Sequence, residues 1–221
     1  MLKIKTFTFN MFGVNTYIVW NPDTREAAII DPGMINEDEQ LALDRFIKNN
    51  DLTVKQLINT HMHVDHIFGD IYVKNKYGVD VKACPDDSFL GERAAAQCRM
   101  FGLPESISMV TIDHKLQHGD TIEIGGEKVE VLGVPGHSPG SIVLYFPQSK
   151  WAITGDVIFK SSIGRTDLEG GDSRKMDESL RKFAALPVPA EAQVLPGHGD
   201  FSTFGQEVAT NFYIKNALRN A

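Results

Sequence analysis

Residues 60–66, Thr60-His61-Met62-His63-Val64-Asp65-His66, place four metal-donor side chains within six consecutive positions. A tetrahedral ion such as zinc takes about four donors, yet so short a backbone stretch cannot wrap all four around one centre. The economical reading is two ions, with His61 and His63 on one and Asp65 and His66 on the other. Purification tags sit at termini and lack an interleaved carboxylate, so this internal run reads as metal chemistry.

The flanking sequence says how the cluster is delivered. Residues 54–58 form a short apolar run suited to a buried strand, which puts the cluster at the strand's C-terminal tip. A helix is expected to start near Asp65 and run to Tyr77-Gly78, with a strand returning at 79–83. Upstream, 2–9, 14–20 and 26–30 read as strands, and Asp31-Pro32-Gly33 as a turn. Asn36 with Glu39 resembles a capping box; Leu43, Phe46 and Ile47 give the stripe of a helix ending near Asn49-Asn50.

Downstream, 84–118 read as an inserted helical lobe, with helix over 86–100 and a Phe101-Gly102-Leu103-Pro104 stop. Met100, Phe101 and Leu103 are assigned to ordinary core packing rather than to a lid. Strands follow at 121–124, 128–134, 141–146 and 151–154. A helix over 173–185 carries Met176, Leu180 and Phe183 on one face; 192–195 is a last short strand and 203–216 a closing helix. Strands in two groups with helices between them predict two sheets packed face to face and covered by helices. The expected organisation is one domain over 1–221 with a helical insertion near 84–118.

Composition limits the function classes. The chain of 221 residues can bury roughly 70% of its unfolded surface, enough for one sizeable core. No apolar run approaches the ~20 residues that span a bilayer, and the N-terminus alternates like a strand without a secretory core or cleavage site. A net charge of −7 with no basic block argues against nucleic acid. Cys84 and Cys98, with no C-x-x-C pairing, suit idle thiols in a reducing cytoplasm, the expected location.

Three further stretches share one grammar, an apolar strand, a glycine, then a possible ligand: Val-Pro-Gly-His137, Ile-Thr-Gly-Asp156 and Leu-Pro-Gly-His198. Glycine lets the backbone turn and approach closely, so the next side chain can face a pocket. Each alone is more often a turn than a ligand. Together with the cluster they make seven donors of suitable type, and five of the seven histidines fall in this grammar. His114 and His118, in a polar turn region, read as surface.

The whole set resembles the metallo-β-lactamase superfamily, the αββα sandwich hydrolases marked by H-x-H-x-D-H followed by isolated His, Asp and His. The resemblance implies that His61, His63 and His137 bind a first ion, that Asp65, His66 and His198 bind a second, and that Asp156 bridges both. Zinc leads as the metal, with iron and manganese fitting the same donors. Several true metallo-β-lactamases resemble this pattern but carry Cys at the position of Asp156, and the long insertion of the nucleic-acid-cutting members is missing. Within the superfamily the chain looks like the glyoxalase II (hydroxyacylglutathione hydrolase) group, and more narrowly a short bacterial subgroup. The basis is Arg99-Met100-Phe101-Gly102-Leu103, Gly155-Asp156-Val157-Ile158-Phe159-Lys160, Gly164-Arg165-Thr166-Asp167 and Pro196-Gly197-His198-Gly199. The full-length enzymes also grip glutathione through a basic, helical C-terminal extension, without a counterpart in this sequence as it runs to Ala221. They carry Lys and Tyr where this chain has Arg165 and Asp167.

The implied activity is a metallo-hydrolase of a small acyl thioester, foremost S-D-lactoylglutathione. Two dications lower the pKa of a shared water to ~7, and the resulting bridging hydroxide attacks the thioester carbonyl, with Asp65 and Asp156 as the catalytic carboxylates. No Gly-x-Ser-x-Gly elbow supplies a rival nucleophile. Arg165 and Lys160 have two readings: a grip on a substrate carboxylate, or, for Arg165, a local ion pair with Asp167. The main alternative activity is that of the persulfide dioxygenases, which look alike and hold a single ferrous ion on the ligands corresponding to His61, His137 and Asp156. Hydrolysis of other esters or lactones is a further alternative. The partners implied are a glutathione-derived small molecule, with no nucleic acid and no membrane. The oligomeric state is not legible.

Overall fold

A computed structural model describes residues 1–103 and 107–220. Pro104 of the expected helix stop lies outside the described residues.

The first sheet takes its strands in chain order: β1 (Lys3–Phe9), β2 (Val14–Trp20), β3 (Glu26–Ile30), β4 (Thr53–Ile58), β5 (Val81–Ala83) and β6 (His114–Lys115). Strands β1 to β3 are antiparallel neighbours, and β3 to β6 run parallel. The second sheet contains β7 (Thr121–Ile124), β8 (Glu127–Gly133), β9 (Ile142–Phe146), β10 (Trp151–Gly155), β13 (Gln193–Pro196) and β14 (Ser202–Thr203). A small hairpin, β11 (Ile158–Phe159) with β12 (Ser162–Ile163), stands apart from both.

Strand β2 shows why the molecule has four layers. All seven of its residues are buried, so both faces of its sheet are covered and polarity does not alternate. Tyr17 and Val19 join Ile30, Ile58, Val131, Leu144, Phe146 and Leu195 in the core between the sheets. Ile18 points the other way, into a core with Leu43, Ile47, Leu57 and Val73. A third core packs Val143, Ala152 and Val194 against Met176, Leu180, Phe183 and Ile214. This is the expected αββα sandwich.

The helices follow the expected stripes but are cut where tertiary contacts intervene. Helix α1 (Glu37–Asn49) opens on Asn36, which accepts from the Glu39 amide at 3.0 Å. The Glu39 carboxylate does not complete the box; it accepts from the Asn10 and Ile35 amides at 2.7 and 2.8 Å, tying the β1–β2 hairpin to the helix start. The single helix expected from Asp65 to Tyr77 is two, α2 (Val64–Ile67) and α3 (Asp70–Tyr77). The break falls at Gly69, whose amide donates to the Pro32 carbonyl at 2.7 Å and whose added Cβ would lie 2.8 Å from that oxygen.

In the insertion, the helix expected over 86–100 is a short turn at Pro85–Asp87 followed by α4 (Ser88–Glu92) and α5 (Ala94–Met100). The break falls at Arg93, where the Leu90 carbonyl accepts from the Gln97 side chain as well as the Arg93 amide, and the Gly91 carbonyl accepts from the distant Val110 amide. By His114 the chain is back in the first sheet, so the lobe ends earlier than expected. Met100 and Phe101 correct the core-packing expectation, being 63% and 38% exposed, whereas Leu103 does pack on the core.

Helix α6 (Ser173–Ala184) buries Met176, Leu180 and Phe183. The closing helix is again two, α7 (Phe204–Thr210) and α8 (Phe212–Arg219). Buried Asn211 separates them because its side chain caps α8 and also donates to the Ser162 carbonyl and Glu207. Among the described residues no helix is long and apolar enough to cross a membrane. His114 and His118 are exposed, His114 facing Asp80 at 2.9 Å.

Candidate metal centre

All seven candidate donors leave the ends of sheet strands at one edge of the sandwich. His61, His63, Asp65 and His66 follow β4, His137 follows β8, Asp156 follows β10 and His198 follows β13. The sheets are stitched together there. The Ile142 amide donates to the Thr60 carbonyl at 2.9 Å, the Asn15 amide to the Gly197 carbonyl at 2.7 Å, and the Tyr17 hydroxyl to the Pro196 carbonyl at 2.6 Å.

Donor atoms gather into three overlapping groups: His61, His63 and His137; His61, His66 and Asp156; and Asp65, His66 and His198. Asp156 spans them. Its Oδ1 lies 3.4 Å from His66 Nε2, and its Oδ2 lies 3.6 Å from His137 Nε2 and 3.4 Å from His198 Nε2. Asp65 Oδ2 stands 3.2 Å from His198 Nε2.

The residues fit divalent ions. His61 Nε2 and Asp156 Oδ1 are buried and make no hydrogen bond, a costly state for polar atoms unless something else satisfies them, and His63 turns its Nδ1 toward His137 Nε2 at 2.8 Å. The outer nitrogens of two imidazoles are held by carbonyls, His137 Nδ1 donating to Arg165 at 2.8 Å and His198 Nδ1 to Phe12 at 3.0 Å, and His66 Nδ1 lies 3.1 Å from Asp31 Oδ2 as a charge contact without hydrogen-bond geometry. Each contact leaves Nε2 with its lone pair turned inward, as a metal ligand requires.

Two supporting carboxylates escaped the reading of the sequence. Asp31 looked like a turn residue. It is fully buried, accepts from the Thr60 amide and hydroxyl at 2.7 and 2.6 Å, and so orients the loop carrying His61 as well as the His66 ring. Asp87, in the inserted lobe, accepts from the Met62 amide at 3.1 Å, the Ser138 hydroxyl at 2.7 Å and the Gly140 amide at 2.6 Å. It ties the His61–His63 loop to the His137 loop. The only signals in the sequence were an acidic residue beside Pro32 and another two positions after Pro85, which are too common to single out. Asp87→Ala leaves these buried donors without an acceptor, at a cost on the order of 3 kcal/mol. The expected result is a fall in Tm of about 10 °C with preferential loss of the first ion. Calorimetric melting and metal analysis check this; unchanged melting and full loading would contradict it.

The electrostatics differ between the two triads. Burial pushes His61 well below the usual imidazole range, helped by His66 and His137, and pushes His63 down to about 3, helped by His137. Burial acts the same way on His66, but Asp156, Asp65 and Asp31 outweigh it and hold that ring well above its usual value. For His198 burial is likewise outweighed, by hydrogen bonds to Asp156 and Asp65, and the ring is pushed up to about 10. At neutral pH the second triad therefore carries protons that an incoming ion must displace, while His61 and His63 have none to give. The second ion is expected to bind with proton release and to weaken progressively as pH falls below about 10, where His198 gains its proton, the first showing no such contribution from His61 and His63. Metal titration followed by a pH indicator checks this; equal pH slopes for both ions would contradict it.

A cleft of about 390 Å³ opens over the donors, lined by His63, Asp65, His137, Asp156 and His198 together with Phe12, Phe101, Phe159, Gly164, Arg165 and Leu168. Arg165 closes its guanidinium fork on Asp167, with two contacts of 2.7 Å, which is the local ion pair of the two readings. Lys160 does not line the cleft and pairs with Asp200 at 3.0 Å.

Comparison with known proteins agrees with this geometry. The family model described as the metallo-beta-lactamase superfamily matches residues 10–198. The hydroxyacylglutathione hydrolase GloC of Haemophilus influenzae is 34% identical over 216 residues, covering 97% of this chain and 99% of that protein. Among solved structures, the BLEG-1 B3 metallo-beta-lactamase is 33% identical with a TM-score of 0.86, covering 96% of this chain and 99% of its own. TTHA1623 in a di-iron-bound form is 31% identical with a TM-score of 0.81, covering 95% and 99%.

Proposed function

The chain belongs to the metallo-beta-lactamase superfamily, and on that premise we propose that this metallo-hydrolase cleaves a small acyl thioester of the hydroxyacylglutathione kind, such as S-D-lactoylglutathione. The observation that carries the reading is Asp156, which turns carboxylate oxygens to both histidine groups at the floor of an open cleft. Two divalent ions held by His61, His63 and His137 and by Asp65, His66 and His198, zinc first and iron or manganese on the same donors, would supply hydroxide at neutral pH and a Lewis acid for the carbonyl oxygen.

The chain's own residues do the rest. Asp156 places negative charge between the two groups, and Asp65 adds a second carboxylate at the cleft floor. Asp31, Arg165 and Phe12 hold His66, His137 and His198 from behind, Arg165 and Phe12 through their carbonyls. Among the described residues lining the cleft there is no serine or cysteine to act as a covalent nucleophile. A thiolate leaving group, with a pKa of about 8.5, departs without an acid to protonate it. Arg165 is the cation nearest to hand for a glutathione carboxylate, by exchange with Asp167.

The test is anaerobic hydrolysis of S-D-lactoylglutathione by the metal-loaded protein, beside oxygen uptake on glutathione persulfide and hydrolysis of a β-lactam. Oxygen-independent thioester cleavage is expected. Oxygen consumption with one iron per chain would replace this reading with a persulfide dioxygenase, and a β-lactam turned over faster than any thioester would replace it with a lactamase. The expected cytoplasmic location is part of the same proposal.

A further inference from the structure

With the metal donors set aside, the side chains lining the cleft are Phe12, Phe101, Phe159, Leu168 and Arg165. The four apolar ones belong to none of the three hydrophobic cores. They are half-buried or exposed, and they come from four separate places: the β1–β2 hairpin, the end of α5, the small β11–β12 hairpin and the loop before α6. Phe12 and Phe101, 89 positions apart in the chain by their numbers, meet edge-on with centroids 5.4 Å apart. Holding aromatic rings beside open water gains nothing for folding comparable to burying them, so their use is to cover something apolar. A small adjoining crevice, lined by Leu90, Met100, Phe101 and Leu168 with His63, Gln97 and Glu169, borders the same surface.

Charge points the same way. Apart from the metal donors, Arg165 is the one cationic side chain among the described residues lining the cleft, and its fork is already filled by Asp167. Asp167 lies beside it, and the chain as a whole carries a net charge of −7. An anionic substrate would have to displace Asp167 to gain a partner, whereas an apolar group meets ready-made walls.

We infer that the cleft selects thioesters with an apolar flank, seated against Phe12, Phe101, Phe159 and Leu168. This rests on the thioester-hydrolase reading above. The flank can come from the acyl group or from the thiol, since both lead away from the reacting carbonyl.

Two substrate series separate these sources. One varies the acyl group from acetyl through butyryl to hexanoyl on neutral N-acetylcysteamine. The other keeps the lactoyl group and varies the thiol from glutathione through N-acetylcysteamine to benzyl mercaptan. In at least one series kcat/KM is expected to rise by about fourfold per added methylene or its equivalent, from the transfer free energy of that group. Phe101→Ala, at an exposed helix end, is expected to remove about tenfold of the rise across the series, with its Tm measured to verify folding. Flat profiles in both series, or S-D-lactoylglutathione exceeding every apolar thioester, would overturn the inference. If no thioester is cleaved at all, the thioester-hydrolase reading fails on its own. Binding of S-hexyl against S-methyl N-acetylcysteamine, inert thioethers measured by calorimetry, then decides the cleft preference: tighter S-hexyl binding supports it and equal binding refutes it.

Discussion

Replacing Asp156 by Ala is expected to lower kcat/KM on the order of a thousandfold, about 4 kcal/mol of barrier, and to reduce bound metal below two ions per chain. The reason lies in where the carboxylate stands. Asp156 is 9% exposed, and its oxygens lie 3.4–3.6 Å from Nε2 of His66, His137 and His198. No other side chain among the described residues is shared in this way between the first and second groups with a full negative charge. Two dications at the ~3.5–4 Å spacing of dinuclear sites repel each other strongly without such a charge between them. Asp156→Asn keeps the shape and loses the charge, so it should retain more metal than the Ala variant yet remain far below the parent. Metal analysis and steady-state kinetics on the same preparations check both outcomes. Near-parental turnover by Asp156→Ala with two ions bound would contradict the proposed centre.

The second large effect is expected from a residue that donates nothing to a metal. A Cβ on Gly197 would lie 2.2 Å from Asp156 Oδ1, 2.7 Å from His66 Cε1 and 3.2 Å from the Gly155 carbonyl carbon. The backbone cannot move aside easily, because the Gly197 amide donates to the Gly155 carbonyl at 2.8 Å and its carbonyl accepts from Asn15 at 2.7 Å. One methyl group must therefore displace a ligand. Gly197→Ala should weaken metal binding by more than the ~10–100-fold seen for lost supporting contacts, and activity should fall with it. Gly199→Ala provides the contrast. No atom stands within 4 Å of its added Cβ, but its φ of +75° strains any side chain, so it should cost about 1 kcal/mol of stability and keep its metal. Calorimetry with titrated metal distinguishes the two; equal affinities in both variants would contradict the close-approach argument.

These two variants also mark what could be read from the chain before its structure. The Gly-ligand grammar at His137, Asp156 and His198 was legible because it recurs three times beside the 61–66 cluster, each time ending on a donor of suitable type, and Gly197 shows the physical need behind it. Strands β2 and β3 were legible to the residue, since turn-forming stretches bracket their apolar runs. The helix breaks were not. Gly69, Arg93 and Asn211 interrupt helices because carbonyls and amides there are claimed by distant partners, such as Pro32, Val110 and Ser162. Helical periodicity carries no record of such contacts. Asp31 and Asp87 were missed for the same reason: their importance lies in the donors that fold around them. Met100 and Phe101 sit on an apolar stripe, which suggested core packing, yet the α5 terminus carries them to the cleft rim.

The most direct measurement is anomalous X-ray scattering from crystals of the metal-loaded protein, recorded at the absorption edge of the bound metal. Two peaks are expected about 3.5–4 Å apart. One should lie among His61, His63 and His137 and the other among Asp65, His66 and His198, with the Asp156 carboxylate reaching both. A single peak at full occupancy, or ions bound away from these seven side chains, would contradict the account.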